Sequence, residues 1–455
     1  METDARTAPA LDVGRLLDEG RWTPHQRVVV LLAALAIVFD GLDNQLLGVA
    51  VPALMREWTV TRAAFAPVLA CGMVGMMIGG AVAGMVGDRF GRRIALIGSV
   101  LVFALPTVAI AAADTLVTLG GLRFVAGLGL GGAIPNAASL ASEYVPRRSR
   151  PLAVTLTIVC VPLGGTLGAL LGGQVLPVFG WRILFVVGGA LPVVVALVLL
   201  RFLPESPRYL ARRPDRWPEL ARLLSRDGHE VPTNAAFTDA TEAAVSRVSL
   251  AALFTPQLRR DSAALWGAFF SCLLAVYLGF NWIPSMLSGA GLGVSVASTG
   301  LAAYNLGGVA GAIAGGWLIG RFGSRVTMLS MAAGASAGAL GLAAFPMHAG
   351  ADTTSIILML GLTGGLINAV QTTMYALATN VYPTAVRATG VGSAVSFGRT
   401  GAVLSTYAGA WALEAGGSTA FFVCMAAAMA AALAALALVG RHVPRAESGR
   451  SRTSA

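Results

Sequence analysis

GMVGDRFGRR, at Gly84–Arg93, returns in altered form as GWLIGRFGSR at Gly316–Arg325. Each copy follows the second of a series of apolar runs. The runs are about 20 residues long, enough to carry a helix across a hydrocarbon core of about 30 Å. A repeat so placed divides the chain into two homologous halves of six runs each. The runs expected from hydropathy are 27–47, 62–84, 94–113, 116–140, 152–176, 182–203, 261–287, 297–319, 326–346, 353–378, 385–411 and 417–440. The expected fold is all-α and membrane-embedded, with twelve transmembrane helices in two pseudo-symmetric six-helix bundles, 27–203 and 261–440. A polar central loop, 204–260, joins them, and an N-terminal segment, 1–26, and a tail, 441–455, flank them. The two copies differ in charge: Gly320 stands where the first has Asp88, and Ser324 where it has Arg92.

Composition agrees with a lipid solvent. Of 455 residues, 56% are hydrophobic and only 12% charged, and the mean hydropathy of +0.74 exceeds that of soluble globular chains. The net charge of +10 does not indicate a nucleic-acid partner, because the arginines collect in alternate loops. Arg89, Arg92 and Arg93 follow the second run, Arg147, Arg148 and Arg150 the fourth, and Arg321 and Arg325 the eighth. By the positive-inside rule these loops, the central loop and both termini are cytoplasmic. The N-terminal segment, with Asp4, Arg6, Asp12, Arg15, Asp18, Glu19 and Arg21, lacks the pattern of a signal peptide and is expected to be retained. Lysine is absent while Ala, Gly and Arg abound, which points to a GC-rich bacterial genome and a bacterial plasma membrane.

Several function classes fall away. Cys71, Cys160, Cys272 and Cys424 lie singly in apolar runs, and His25, His229, His348 and His442 lie outside or at the edges of the spans. No disulfide framework, metal site or cofactor is expected. The glycine runs at Gly127–Gly132 and Gly164–Gly173 have no preceding strand and no GK[ST] ending, so they read as helix-packing surfaces rather than phosphate cradles. No nucleophile, base and orienting group stand together, and an enzyme is not expected.

The loop motif GDRFGRR and the stretch RFVAGLGLGGAIP at Arg123–Pro135 resemble motifs of the major facilitator superfamily of transporters, and the resemblance covers essentially the whole chain. Within it, FDGLDNQLLGVAVPAL at Phe39–Leu54, PESPRYL at Pro204–Leu210 and VYPTAVRATGVGSAVSFGRTGA at Val381–Ala402 are similar to the aromatic acid/proton symporter family. The resemblance implies a monomeric carrier, working by alternating access, that imports a small aromatic carboxylate with protons across the lipid bilayer. It also implies functional importance for the acids of DGLD and the arginine of FGRTGA. PESPRYL and the fourth-helix motif are shared with sugar and polyol porters, but the tail lacks the PETKG-like ending expected there. A drug/proton antiporter is disfavoured by the missing GxxxGPxxGG motif, with Pro162 preceding the glycines, and a membrane sensor by the absence of a signalling domain.

The charges inside the spans are the candidate machinery. An ionised side chain at a bilayer centre costs about 3 kcal/mol on insertion scales, so Asp40 and Asp43 need partners or water. Asp43 is about sixteen residues into the first span and Arg123 about seven into the fourth, which runs the other way, so at 1.5 Å per residue they reach similar depth and can pair. Asp40, Asp43 and Arg123 are the expected proton-coupling group, although Asp40 can also be read as capping a distortion at Gly41 and Arg123 as bracing the helices through backbone carbonyls. Arg399, near the midplane, suits a carboxylate through its forked donors, or reads as a purely structural cation. Asn44, Gln45, Asn136, Asn281, Trp282, Tyr304, Asn305, Asn368, Gln371 and Tyr375 supply amides and rings for the rest of a pocket, or glue between helices. Asp88, Arg89, Arg92 and Arg93, with Glu143 as partner, read as a cytoplasmic gate, or as topology signals alone.

Overall fold

The protein is described from a computed structural model covering residues 11–232, 235–239, 250–383 and 386–445. The first ten residues, the last ten, and 233–234 and 240–249 within the central loop lie outside the described residues, as do Thr384 and Ala385 of the VYPTAVRATG stretch. Asp4 and Arg6 are therefore not placed.

Thirteen helices are described: α1 (Val13–Glu19), α2 (Pro24–Glu57), α3 (Arg62–Phe90), α4 (Arg92–Ala109), α5 (Leu116–Tyr144), α6 (Arg150–Phe202), α7 (Pro207–Ala211), α8 (Trp217–Arg226), α9 (Arg259–Gly289), α10 (Val294–Phe322), α11 (Ser324–Ala344), α12 (Thr353–Val381) and α13 (Arg387–Leu438). Ten are long and apolar enough to cross a membrane. Two of these ten are double: α6 is interrupted at Gly180, with φ +77°, and α13 at Gly416 and Gly417. Twelve crossings result, six on each side of the central loop.

The helix starts follow capping chemistry. Thr23 caps α2 through a capping box with Gln26, Thr61 caps α3, Thr115 caps α5 and Asp352 caps α12, each side chain accepting from an otherwise orphaned amide. Two expectations change here. Helix α2 runs unbroken through Gly41, so Asp40 caps no distortion. Instead a Cβ at Gly41 would collide with the carbonyl of Val161 on α6, which marks a close helix contact. The second span likewise continues to Phe90, so the turn in GDRFGRR is Gly91 alone, at φ +102°.

Because lipid tails are as apolar as Leu, helix pairs in a membrane gain from close packing more than from burial. The α2–α6 and α3–α5 pairs show it: Gly164 lies against the Val38 carbonyl, and Gly127 against that of Gly72. These are the glycine runs that resemble phosphate loops in sequence.

At the end carrying the termini, here called the basic end, α1, α7 and α8 form a small apolar cluster around Val13, Leu17, Leu210 and Leu224. A two-stranded parallel pair, β1 (Leu11–Asp12) with β2 (Phe237–Thr238), closes it. This is the one departure from an all-helical chain among the described residues. Arg150 and Arg208 both bond Asp18, the latter at 2.8 Å, and tie the cluster to α6.

The halves meet unevenly. Hydrogen bonds that join them include Arg62 Nε to Ser285 Oγ at 3.5 Å, Ala63 N to Glu414 Oε1 at 3.1 Å, and Arg399 to the Met76 carbonyl. These lie at mid-depth or towards the opposite end. The tight glycine contacts across the seam, Gly48 on Phe280, Gly165 on Asn305 and Gly173 on Ser298, fall in the same zone.

Candidate functional site

A central cavity of about 120 Å³ lies between the halves, from mid-depth towards the basic end. Its walls are helical stripes. Leu273, Tyr277 and Phe280 on α9, Asn368, Gln371, Thr372 and Tyr375 on α12, and Ile158, Val161 and Pro162 on α6 each recur at three- and four-residue spacing, one face of a helix. Val395 and Arg399 on α13, Met76 on α3 and Ile134 on α5 complete it. An apolar cavity of about 150 Å³ holds benzene, so this one has the scale of a single ring.

Arg399 is the cation of the cavity. Its guanidinium donates to the Met76 carbonyl, which fixes it across the seam and leaves donors for a ligand. Three aromatic side chains surround the space, and Asn368 donates to the Gly364 carbonyl at 2.9 Å, leaving its oxygen as an acceptor.

One turn deeper stand the acids. Arg123 Nη1 lies 3.1 Å from Asp43 Oδ2 with both side chains almost wholly enclosed. Thr107 Oγ1 donates to the other carboxylate oxygen at 2.5 Å. Asp43 is thus fully engaged. Asp40 is not: it is 1% exposed, its Oδ1 has no hydrogen-bond partner, and the charges acting on it are Asp43 and Arg399. Tyr277 stands between, within reach of Asn44, Asp40 and Arg399.

Sequence reasoning brings Gln371, Tyr375, Asn368 and Arg399 into one wall and misses Tyr277, Phe280, Thr372 and Thr107. Tyr277 carried a signal, since it falls four residues before Asn281 in a span already singled out. Other expected pocket residues stand elsewhere. Trp282 is fully enclosed against Gly409, with its indole N–H unpartnered. It sits about 140° round α9 from Tyr277, at 100° per residue. Tyr304 is wedged between Gly279 and Gly364. Asn305 donates to the Leu301 carbonyl and faces Gly165 across the seam. Asn281, Gln45 and Asn44 are buried with one amide atom each unpartnered. Asn136 donates to the carbonyls of Ala83 and Gly132 on the α5 face turned about 200° from Ile134, away from the cavity.

The loop charges form a cluster within the first half. Arg92 bonds Asp88 at 2.7 Å and Glu143 at 3.1 Å, and Ser206 donates to Glu143. Glu205 accepts from the backbone of Arg93 at 3.0 Å and of Ser206 at 2.9 Å, and burial holds its carboxyl above the usual carboxylate range, opposed by these bonds. Tyr209 and Arg213 reach the Arg89 carbonyl at 3.2 and 3.1 Å. PESPRYL is therefore the dock for GDRFGRR. The second half repeats the arrangement with other residues: Ser324 exchanges backbone and side-chain bonds with Val443, at 2.9 and 2.8 Å, beside Gly323.

Twelve crossings in two six-helix groups around one central cavity define a membrane solute transporter. The chain belongs to the Major Facilitator Superfamily, whose profile matches residues 33–406. It is 34% identical to the gallate transporter of Pseudomonas putida, over 94% of this chain and 95% of that one. It is also 34% identical to the 4-hydroxybenzoate transporter of Pseudomonas putida, over 90% of each. In fold it is similar to the crystal structure of a D-xylose-proton symporter, with a TM-score of 0.68 at 18% identity over 92% of this chain and 98% of that one. The chain is a multi-pass membrane transporter and not an enzyme, like the family and the relatives that it matches.

Proposed function

We propose that the protein is a symporter that imports a small hydroxylated aromatic carboxylate with protons across a bacterial inner membrane, the basic end and both termini facing the cytoplasm. The observation that carries this reading is Arg399, a midplane cation presented to a ring-sized cavity walled by Tyr277, Phe280 and Tyr375. The guanidinium matches a carboxylate through paired donors, the rings match an aromatic face, and Gln371, Thr372 and Asn368 match ring hydroxyls. The relatives named for gallate and 4-hydroxybenzoate support the same class.

Coupling follows from a shared cation. Against its enclosure and the like charge of Asp43, Arg399 is the counter-charge that favours ionised Asp40 in the empty site. A substrate carboxylate that takes over Arg399 leaves Asp40 without that counter-charge, and a buried acid so placed takes up a proton. Anion and proton then load together, and the nearly neutral site crosses as the halves rock about it. Asp43, held by Arg123 and Thr107 within the first half, supports this site. Seam contacts at the end opposite the basic one, such as Arg62 with Ser285 and Ala63 with Glu414, support an inward-open state.

The test is uptake of labelled 4-hydroxybenzoate into proteoliposomes. An acidic exterior is expected to drive accumulation, and Asp40→Asn to abolish accumulation while sparing exchange of internal for external substrate. Absence of uptake under an inward proton gradient overturns the transport reading, and unchanged acid-driven accumulation in Asp40→Asn removes Asp40 from the coupling.

A further inference from the structure

A second space lies on the seam at the end opposite the basic one, about 300 Å³ in volume, between α2 and α3 of the first half and α9 of the second. Arg56, Arg62, Ser285 and Ser288 supply its polar groups, and Met55 and Val60 an apolar wall. Arg62 Nε donates to Ser285 Oγ at 3.5 Å and Arg56 Nε to the Pro52 carbonyl at 3.2 Å. Neither guanidinium has an acidic partner among the described salt bridges. Of the nearby acids, Glu57 is taken by Arg182 and Trp181, each at 2.6 Å, and Glu414 accepts from the backbone amide of Ala63 beside Arg62, with no bond to that guanidinium among the described hydrogen bonds. Ser288 Oγ is enclosed and unpartnered.

Two unpaired arginines at this end run against the loop-charge rule, which gathers them at the other. Topology does not explain them. Paired cations, hydroxyls from the facing half and an apolar wall together form a receptor for an anion with an apolar body. We infer that this vestibule is an outer capture site for the aromatic carboxylate, filled before the halves open on that side; the inference rests on the transport reading above. Both arginines hold the carboxylate, Met55 and Val60 contact the ring, and the serines meet its hydroxyls. Arg62 also bridges to Ser285 while the halves are closed there, so a carboxylate that engages Arg62 competes with a contact that closes the outer end. Being solvent-accessible, the site attracts anions from a distance and weakens as ionic strength rises.

The direct test is benzoate binding by calorimetry to the purified full chain carrying Arg399→Gln, which weakens the central site. Residual binding is expected, falling steeply with salt and lost when Arg56→Gln and Arg62→Gln are added. In transport by the otherwise native chain, the Arg56→Gln/Arg62→Gln pair is expected to raise the KM for 4-hydroxybenzoate about ten-fold, as the loss of a charge-assisted contact does, with the maximal rate unchanged and the salt dependence flattened. Ser285→Ala breaks the bridge but keeps both cations, and its salt dependence is expected to remain native. No residual benzoate binding, or a native KM in the double variant while native uptake is intact, overturns the capture site alone. So does a Ser285→Ala variant that reproduces the double variant, since the arginines then act only as a latch. Failure of the native chain to accumulate any aromatic acid overturns the transport reading and the capture site with it.

Discussion

Asp43 and Arg123 are the pair that span depth alone brings together: two opposite charges, at matching height on antiparallel spans, have few other partners in lipid. Their contact at 3.1 Å makes the pair costly to break from one side. Asp43→Asn leaves an enclosed guanidinium unpaired and is expected to destabilise the protein by about 3–5 kcal/mol. The double variant Asp43→Asn/Arg123→Gln is expected to recover much of that loss, as read by thermal unfolding in detergent. Equal destabilisation of both would mean that the pair is not the source of the cost. Thr107 could not be found this way, because a lone threonine in an apolar run gives no sign of the face it takes. Arg399 was legible as an isolated midplane cation. Its paired donors are expected to matter beyond charge: Arg399→Lys should weaken substrate binding about ten-fold, or about 1.4 kcal/mol, measured as the Kd of 4-hydroxybenzoate. An unchanged Kd would count against paired contact with the carboxylate.

Phase decides the outcome at the scale of the helix. Tyr277 and Trp282 share α9 and similar chemistry, but a third of a turn or more separates their faces, so one lines the cavity and the other fills the packing against Gly409. Ile134 and Asn136 divide in the same way on α5. Hydropathy places a residue in a span but not on a face, because spans apolar all round carry no moment to orient them. The loop elements were clearer: GDRFGRR was legible as a turn bearing a charge cluster, whereas its docking on Glu205 and Tyr209 joins segments over a hundred residues apart. Glu205 gives that dock a pH dependence. Burial raises its carboxyl above the ordinary value of about 4.3, so the docked state is penalised while Glu205 is ionised and relieved as pH falls through the raised value. Hydrogen exchange in the Pro204–Leu210 segment, corrected for intrinsic rate, is expected to slow from neutral to mildly acidic pH in the native chain and to show no such change in Glu205→Gln. Faster exchange on acidification would reverse the assigned sign.

For the whole molecule, the distribution of contacts between the halves is the functional quantity. Ala63 and Glu414 face each other across the seam, the amide of one bonded to the carboxylate of the other at 3.1 Å. In a background with the four native cysteines replaced, Ala63→Cys/Glu414→Cys is expected to be joined by a short, reducible bis-methanethiosulfonate cross-linker, since the length of the Glu414 side chain separates the two backbones by more than a direct disulfide spans. That link should hold this end of the seam closed and stop transport, with reduction restoring it. Full transport with the cross-link formed would show that the halves need not part there.

The sequence by itself determined the number of crossings, their division by the Gly84/Gly316 repeat and the charged residues that lipid makes expensive, because those properties depend on length and polarity along the chain. Only the tertiary structure decided which side chains share the cavity, which acid is engaged and which is left unpartnered, and which end of the seam is sealed. These depend on helix rotation and on close approach at glycines such as Gly41 and Gly164, set by packing between residues far apart in sequence.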